Sequence, residues 1–319
     1  MITIPFQPET FSTESKELVS GVNLSYQYDN IKSRLTQTAV AMQKALGLKT
    51  YEKIVSFSTA VDPSNTEKLS LDFLKRAMLN FSYYHHLIFI AVRISNDGVT
   101  TKKANDETTA FKYQTDELKI SLVESAWFWM DQLYELLNTN AEAFTDWQES
   151  DQKKQLKALL VEPADFAYTF GIDSFYFFVL CMPLIRKVIE EDITGRVKMS
   201  EIAIADTDSE AAKAIKTEIY LLIKKAIVYR TLSLACKLYS FYELPSPLRK
   251  SADNEIHKGQ TTEDYVKNSL AGMLSNNADS MLQKLEAKLQ ILKNKTTGTV
   301  GVPYSEKYLK ESDKFFFTL

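Results

Sequence analysis

The run LKRAMLNFSYYHHLIFIAV, from Leu74 to Val92, sets Leu74, Met78, Phe81, Leu87/Ile88 and Val92 close to the three-and-four spacing of one helical face. This predicts a long buried helix. The chain uses the pattern twice. IKKAIVYRTL, from Ile223 to Leu232, repeats the pattern of Leu74–Tyr83 at an offset of 149 residues. Gly47 closes a helical pattern of Ile31, Leu35, Met42 and Leu46. Gly195 closes one of Val179, Leu184, Val188 and Ile193 at an offset of 148. Two features at almost one offset predict a duplicated helical unit.

Taken in order, residues 1–28 lack sustained periodicity and carry Pro5, Pro8, Phe6, Phe11 and Tyr26, the pattern of an extended arm. Asp29 caps a helix to Leu46, with Gly47 in the left-handed position beyond it. Asp62-Pro63-Ser64-Asn65 is a turn, and Ser70 is the expected cap of the long helix. Ser95-Asn96-Asp97-Gly98 stops that helix. Val99–Lys112 is a loop or a short β-excursion, since Asn-Asp-Gly also suits hairpins. A third helix from Asp116 to Asn138 carries an apolar stripe of Leu118, Leu122, Ala126, Trp129, Leu133 and Leu136/Leu137.

Ser150 starts a short helix to Leu160, and Glu162-Pro163 ends it. Ser174 caps the next helix, which either kinks at Pro183 or begins at Met182. Lys213–Tyr242 is apolar nearly all round past Ile219 and so central to its unit. Leu244-Pro245-Ser246-Pro247-Leu248 stops it, and a last helix spans Glu263–Leu292. The expected fold is all-α. It comprises an arm over 1–28, helical units over 29–165 and 166–295, and a second arm over 296–319, with a possible hairpin excursion.

Composition sharpens this. The 319 residues hold only 9 Gly and 8 Pro, too few for a turn-rich β-fold. The 18 Phe and 16 Tyr suit large buried contacts or interfaces. A net charge of −3 supplies no field toward nucleic acid or an anionic membrane. Met1–Thr10 lacks a basic region followed by an apolar run, so no secretory signal is expected there. Cys181 and Cys236 lie in apolar runs and read as reduced, buried thiols of a cytosolic product. The longest apolar run, Phe166–Ile185, is interrupted by Gly171, Asp173 and Pro183, which argues against a membrane span.

Candidate chemistry is sparse. His85 lies between Phe81 and Ile88 and reads as a hydrogen-bonded core histidine. His86 points about 100° away, so the pair cannot chelate one ion. Asp206, Asp208 and Glu210 have the spacing that opens a calcium loop. Ala211 and Thr217 then stand where Gly and Glu are required. Glu190-Glu191-Asp192 reads as a solvated helix end. Lys213, Lys216, Lys224, Lys225, Arg230 and Lys237 make the second long helix basic, but they do not hold one face as a phosphate-contacting stripe would. No phosphate loop, nucleophile elbow or dinucleotide fingerprint occurs, so no catalytic, cofactor or metal residue is expected.

One ordered series of segments carries a resemblance. Ile94-Ser95-Asn96-Asp97-Gly98-Val99 leads to Thr109-Ala110-Phe111-Lys112-Tyr113-Gln114. Phe144 and Trp147 follow, then Pro183-Leu184-Ile185-Arg186 and Leu244-Pro245-Ser246-Pro247-Leu248. Over Ile31–Lys250 this is similar to an uncharacterised family of tailed bacteriophages and prophages that looks like helical head-to-tail connector, or adaptor ring, proteins. The resemblance implies a structural virion protein made in the host cytoplasm. It implies a homo-oligomeric ring of about twelve copies below the portal, beside a tail or further ring protein. DNA would pass through without specific binding, and no membrane, cofactor or catalytic residue is implied.

The arms are the expected protein interface, through Phe6 and Phe11 at one end and Phe315, Phe316 and Phe317 at the other. The three C-terminal rings follow Lys310, Glu311, Asp313 and Lys314, and left exposed they would invite aggregation. Two rival readings remain: an intracellular helical adaptor or regulator of a protein or nucleic-acid partner, and an enzyme with a dispersed site.

Overall fold

A computed structural model describes residues 2–19, 27–95, 98–101, 112–256 and 263–297. The first half runs α1 (Phe11–Leu18), α2 (Tyr28–Leu46), α3 (Leu48–Ser56), α4 (Asn65–Ala91), β1 (Val92–Ser95), β2 (Gly98–Thr101) and α5 (Lys112–Thr139). Short helices α6 (Thr145–Gln148), α7 (Asp151–Lys157) and α8 (Pro163–Phe170) connect it to the second half. There follow α9 (Phe175–Val188) with a π-turn over Ile189–Ile193, α10 (Met199–Ile202), α11 (Glu210–Leu238), α12 (Ser246–Ile256) and α13 (Glu263–Thr297). The fold is all-α. Among the described residues, the β-structure is one antiparallel ladder pairing Val92 with Thr101 and Ser95 with Gly98. The described part of the excursion is thus an antiparallel strand pair that begins at Val92, earlier than the Asn-Asp-Gly turn alone suggests; residues 96–97 and 102–111 lie outside the described residues.

The two halves share an order of packing. α2 lies on α4 and α4 on α5; α9 lies on α11 and α11 on α13. Their details diverge. Gly47 has φ +86° and ψ 147°, outside the left-handed helical region, and Gly195 is not among the glycines of positive φ. One continuous hydrophobic core runs through both halves, from Phe6 to Leu292. The boundary expected at 165/166 falls inside α8, which packs on α11.

Local chemistry explains several boundaries. Ser64, not Ser70, starts the long helix. Its hydroxyl accepts from Glu67 N at 3.3 Å, and Glu67 returns a carboxylate to Ser64 N at 2.7 Å, a reciprocal capping box. Ser70 instead sits one turn inside, fully buried, donating to Glu67 O. Ser150 and Ser174 cap α7 and α9 as expected, accepting from Lys153 N and Phe177 N at 3.1 Å each. Glu162-Pro163 begins a helix as well as ending one. Proline fits the first helical position, Glu162 and Asp165 form a capping box, and Gly171 at φ +69° closes α8. Pro183 lies inside α9 without splitting it.

Two stripes are rotated from their expected faces. On α5 the core takes Leu122, Val123, Ala126, Trp127, Met130, Leu133, Tyr134 and Leu137, while Leu118 is exposed and Trp129 half-buried. On α4 the buried histidine is His86; His85 is exposed. In both helices neighbours cover more than one stripe, so spacing alone does not choose among adjacent residues.

The N-terminal arm folds back on its own chain. Phe6 and Phe11 are 3% and 0% exposed and meet edge-to-face at 5.6 Å; Phe11 also meets Tyr28 at 5.5 Å. Tyr51 donates to Thr3 O at 2.8 Å, and Lys75 pairs with Glu14 at 2.8 Å. This corrects the expectation that Phe6 and Phe11 face a partner. Each ring is worth roughly 1.5–3 kcal/mol when buried, and a same-chain groove between α2, α3 and α4 already supplies that burial.

Candidate functional site

The two halves meet along a cleft of about 260 Å³, lined by Gln37, Thr38, Ala41 and Met42 of α2, Phe81 and His85 of α4, Trp127 of α5, Tyr176 and Leu180 of α9, and Tyr239 and Glu243 beyond α11. Trp127, Tyr176, Met42 and Thr38 are buried, whereas Gln37, Ala41 and His85 are exposed at the rim. The aromatic wall is continuous: Phe81 and Tyr176 lie 5.8 Å apart and Trp127 and Tyr176 6.0 Å apart.

Tight hydrogen bonds hold this frame. Tyr239 donates to Leu180 O at 3.0 Å, and Ser82 to Thr38 Oγ1 at 3.1 Å. Glu243 caps its own short 3-10 turn (Phe241–Glu243) by accepting from Ser240 N at 3.1 Å. Tyr84 shares a hydrogen with Ser240 at 3.2 Å, joining α4 to the same turn. Arg249, itself buried, donates to Leu244 O at 2.6 Å and pairs with Glu124 of α5. The turn that carries Glu243 is thereby anchored to the first half.

Burial dominates the electrostatics. It pushes the Tyr239 phenol up to about 12 and raises that of Tyr176 further, and the Glu243 charge adds to both. Although part of its surface stays open at the rim, desolvation by the surrounding chain holds His85 below its ordinary value; Glu243 opposes that fall and Arg34 adds to it. Beneath the cleft, Asp131 of α5 caps α9 from outside, accepting from Tyr176 N at 2.7 Å and from Ser174 at 3.2 Å. Burial still pushes its carboxyl up to about 6.

The residues singled out by sequence scatter. Phe6 and Phe11 are core, and Phe315, Phe316 and Phe317 lie outside the described residues. The cationic residues of α11 are largely absorbed within the chain. Lys216 binds Asp208 and Ala203 O at 2.7 Å each, Lys213 meets Glu210, and Lys224 meets Asp165. Arg230 joins Asp192 and Asp279, and Lys225 lies 5.4 Å over Tyr168. Asp208 is thus a partner of Lys216, which holds its carboxyl below the usual range. Among the described residues, no group of three or more His, Cys, Asp and Glu could hold a metal ion. Cys181 and Cys236 are free and buried, and burial raises both thiols. No single described helix is long and apolar enough to cross a membrane; the longest apolar run breaks into α8 and α9, bent by 98°.

A surface that sequence reasoning missed lies on the outer face of α4 and α5. Phe128 is 53% exposed and meets Trp129 edge-to-face at 4.9 Å; Trp129 stacks on Phe73 at 5.5 Å. The Arg76 guanidinium covers the indole at 4.8 Å, held by Asp72 at 2.7 Å. Leu69, one turn before Phe73, extends the patch and is exposed. The run Trp127-Phe128-Trp129 was its signal, since three successive residues span about 200° of a helix and cannot all face one core.

A family of unknown function, DUF6712, matches residues 42–156, a little over a third of the chain, from the end of α2 through α7. No curated protein matches the chain, and no solved structure matches it.

Proposed function

We propose that the chain is a structural assembly subunit, a ring-forming head-to-tail connector of a tailed bacteriophage. In this reading about twelve copies lie between portal and tail, or between portal and a further ring protein, and DNA passes through unbound. The observation that supports it is the patch of Leu69, Phe73, Phe128 and Trp129 with Arg76. Aromatic rings and arginine are the residues enriched at protein interfaces, and exposed Leu69 and Phe128 beside half-buried Phe73 and Trp129 favour a partner. The partner in this reading is a second copy of the chain, because a closed ring repeats one contact between neighbours.

Sedimentation of the purified full-length chain, alone and with the portal protein, tests this. The expected species is a closed oligomer roughly twelve times the 36.4 kDa chain mass. Phe128→Ser should dissolve it while leaving the monomer's melting unchanged, because Phe128 is half-exposed. A chain that stays monomeric at all concentrations, and is not recruited by portal, would overturn the proposal.

A further inference from the structure

The cleft between the halves has a composition that points to a ligand class. Four aromatic residues, Phe81, Trp127, Tyr176 and Tyr239, line the same space as one carboxylate, Glu243. Among the described residues, no cation forms an ion pair with Glu243. Its hydrogen bond to Ser240 N uses Oε2 alone. Arg34, near the rim, donates to Gln37 Oε1 at 2.6 Å. The volume, about 260 Å³, falls under the ~300–1,000 Å³ of sites that enclose drug-sized ligands. A small guest or a single side chain fits.

We infer that this cleft binds a small organic cation, an alkylammonium or guanidinium head on a short apolar stem. Glu243 meets the charge, and the rings of Phe81, Trp127, Tyr176 and Tyr239 enclose head and stem. The chemistry follows from three features. Aromatic rings attract cations through their quadrupole, and more strongly where water is excluded. A carboxylate in a partly buried wall repels anions and leaves neutral guests without a charge partner. His85 at the rim, held toward its neutral form, adds a polar group without repelling a cation. The inference does not rest on the connector reading.

The test uses the full-length chain and n-butylammonium chloride, with n-butanol and sodium butyrate as neutral and anionic counterparts. Binding is followed by tryptophan fluorescence, since Trp127 is in the wall, and by ligand-observed NMR. Butylammonium should saturate about tenfold tighter than butanol, and butyrate should not bind. Glu243→Gln should erase the preference for the cation and keep the butanol affinity, because glutamine can still accept from Ser240 N. Ala41→Phe, at an exposed rim position, should narrow the mouth and weaken butylammonium about tenfold. It serves as the second variant should Glu243→Gln disturb the turn.

Equal binding of butanol or butyrate, unchanged cation binding in either folded variant, or no saturation by the cation would overturn the inference. A free amine and a neighbouring chain's lysine or arginine present the same head. Sedimentation with added butylammonium separates these sources: release of monomers assigns the head to a second copy, and unchanged size assigns it to a free amine.

Discussion

Across α4 and α5 the helices meet through rings. Trp129 stacks on Phe73, and Arg76 covers the indole. Across α11 and α13 an apolar seam is flanked by charge and hydroxyl contacts. Arg230 reaches Asp279 and Ser275, Lys288 pairs with Glu218 at 2.6 Å, and Ser233 donates to Ala271 O at 2.7 Å. Both pairs are long and antiparallel and both leave some apolar side chains exposed, yet the first adds a ring stack at its outer edge and the second adds ion pairs that neutralise charge within the chain. Directional contacts fix one register between two helices, while rings tolerate sliding and remain available to a partner. The likeness between the halves is therefore one of helix order, and the contacts that flank their helix pairs differ.

Cutting the tie between the halves should cost most. Tyr134 of α5 is fully buried, donates to Ala45 O at 3.0 Å, and meets Trp147 at 5.3 Å and Phe175 at 4.9 Å. Tyr134→Ala should lower stability by about 3–5 kcal/mol in chemical denaturation. A loss under about 1 kcal/mol would mean that the halves fold without each other.

Next comes the charged pair of helices. Arg230→Ala strands Asp192 and Asp279 together and should cost about 1–3 kcal/mol. Adding salt should shrink the gap between the variant and the parent chain, because part of the interaction is exposed.

Asp131 sharpens the comparison through pH. Its folded carboxyl titrates near 6, above its unfolded value, so the folded chain holds a proton there that the unfolded chain has released. That contribution is complete below the unfolded value and is lost as pH rises through about 6. Stability relative to Asp131→Asn should therefore fall by about 1–2 kcal/mol between pH 4 and pH 7. A relative stability that rises over that range would contradict the assignment.

The smallest effect belongs to the ring-built pair. Arg76→Ala should cost at most about 1 kcal/mol in the isolated chain, since its ring contact and its Asp72 pair are partly exposed and its bond to Leu18 O is long at 3.3 Å. If it costs as much as Arg230→Ala, the contrast between the two helix pairs fails.

The scarcity of Gly and Pro determined that the chain is helical, apolar spacing where its long helices lie, and the capping serines Ser150 and Ser174 where two helices start. Spacing and caps act within a turn or two, so each is complete in a few neighbouring residues. The choice between His85 and His86, or between Trp127 and Trp129, was not local. Each depends on which neighbouring helix covers which side of a rod whose apolar residues spread beyond one stripe. The start at Ser64 was legible in principle, because Ser64 and Glu67 have capping-box spacing.

The fate of the N-terminal rings and the cleft belongs to tertiary structure alone. Phe6 and Phe11 read as exposed until a groove between α2, α3 and α4 is assembled beneath them. The cleft joins Gln37 to Glu243 across most of the chain, and no periodicity carries that distance. Only packing of one half on the other brings a carboxylate and four rings around the same small volume.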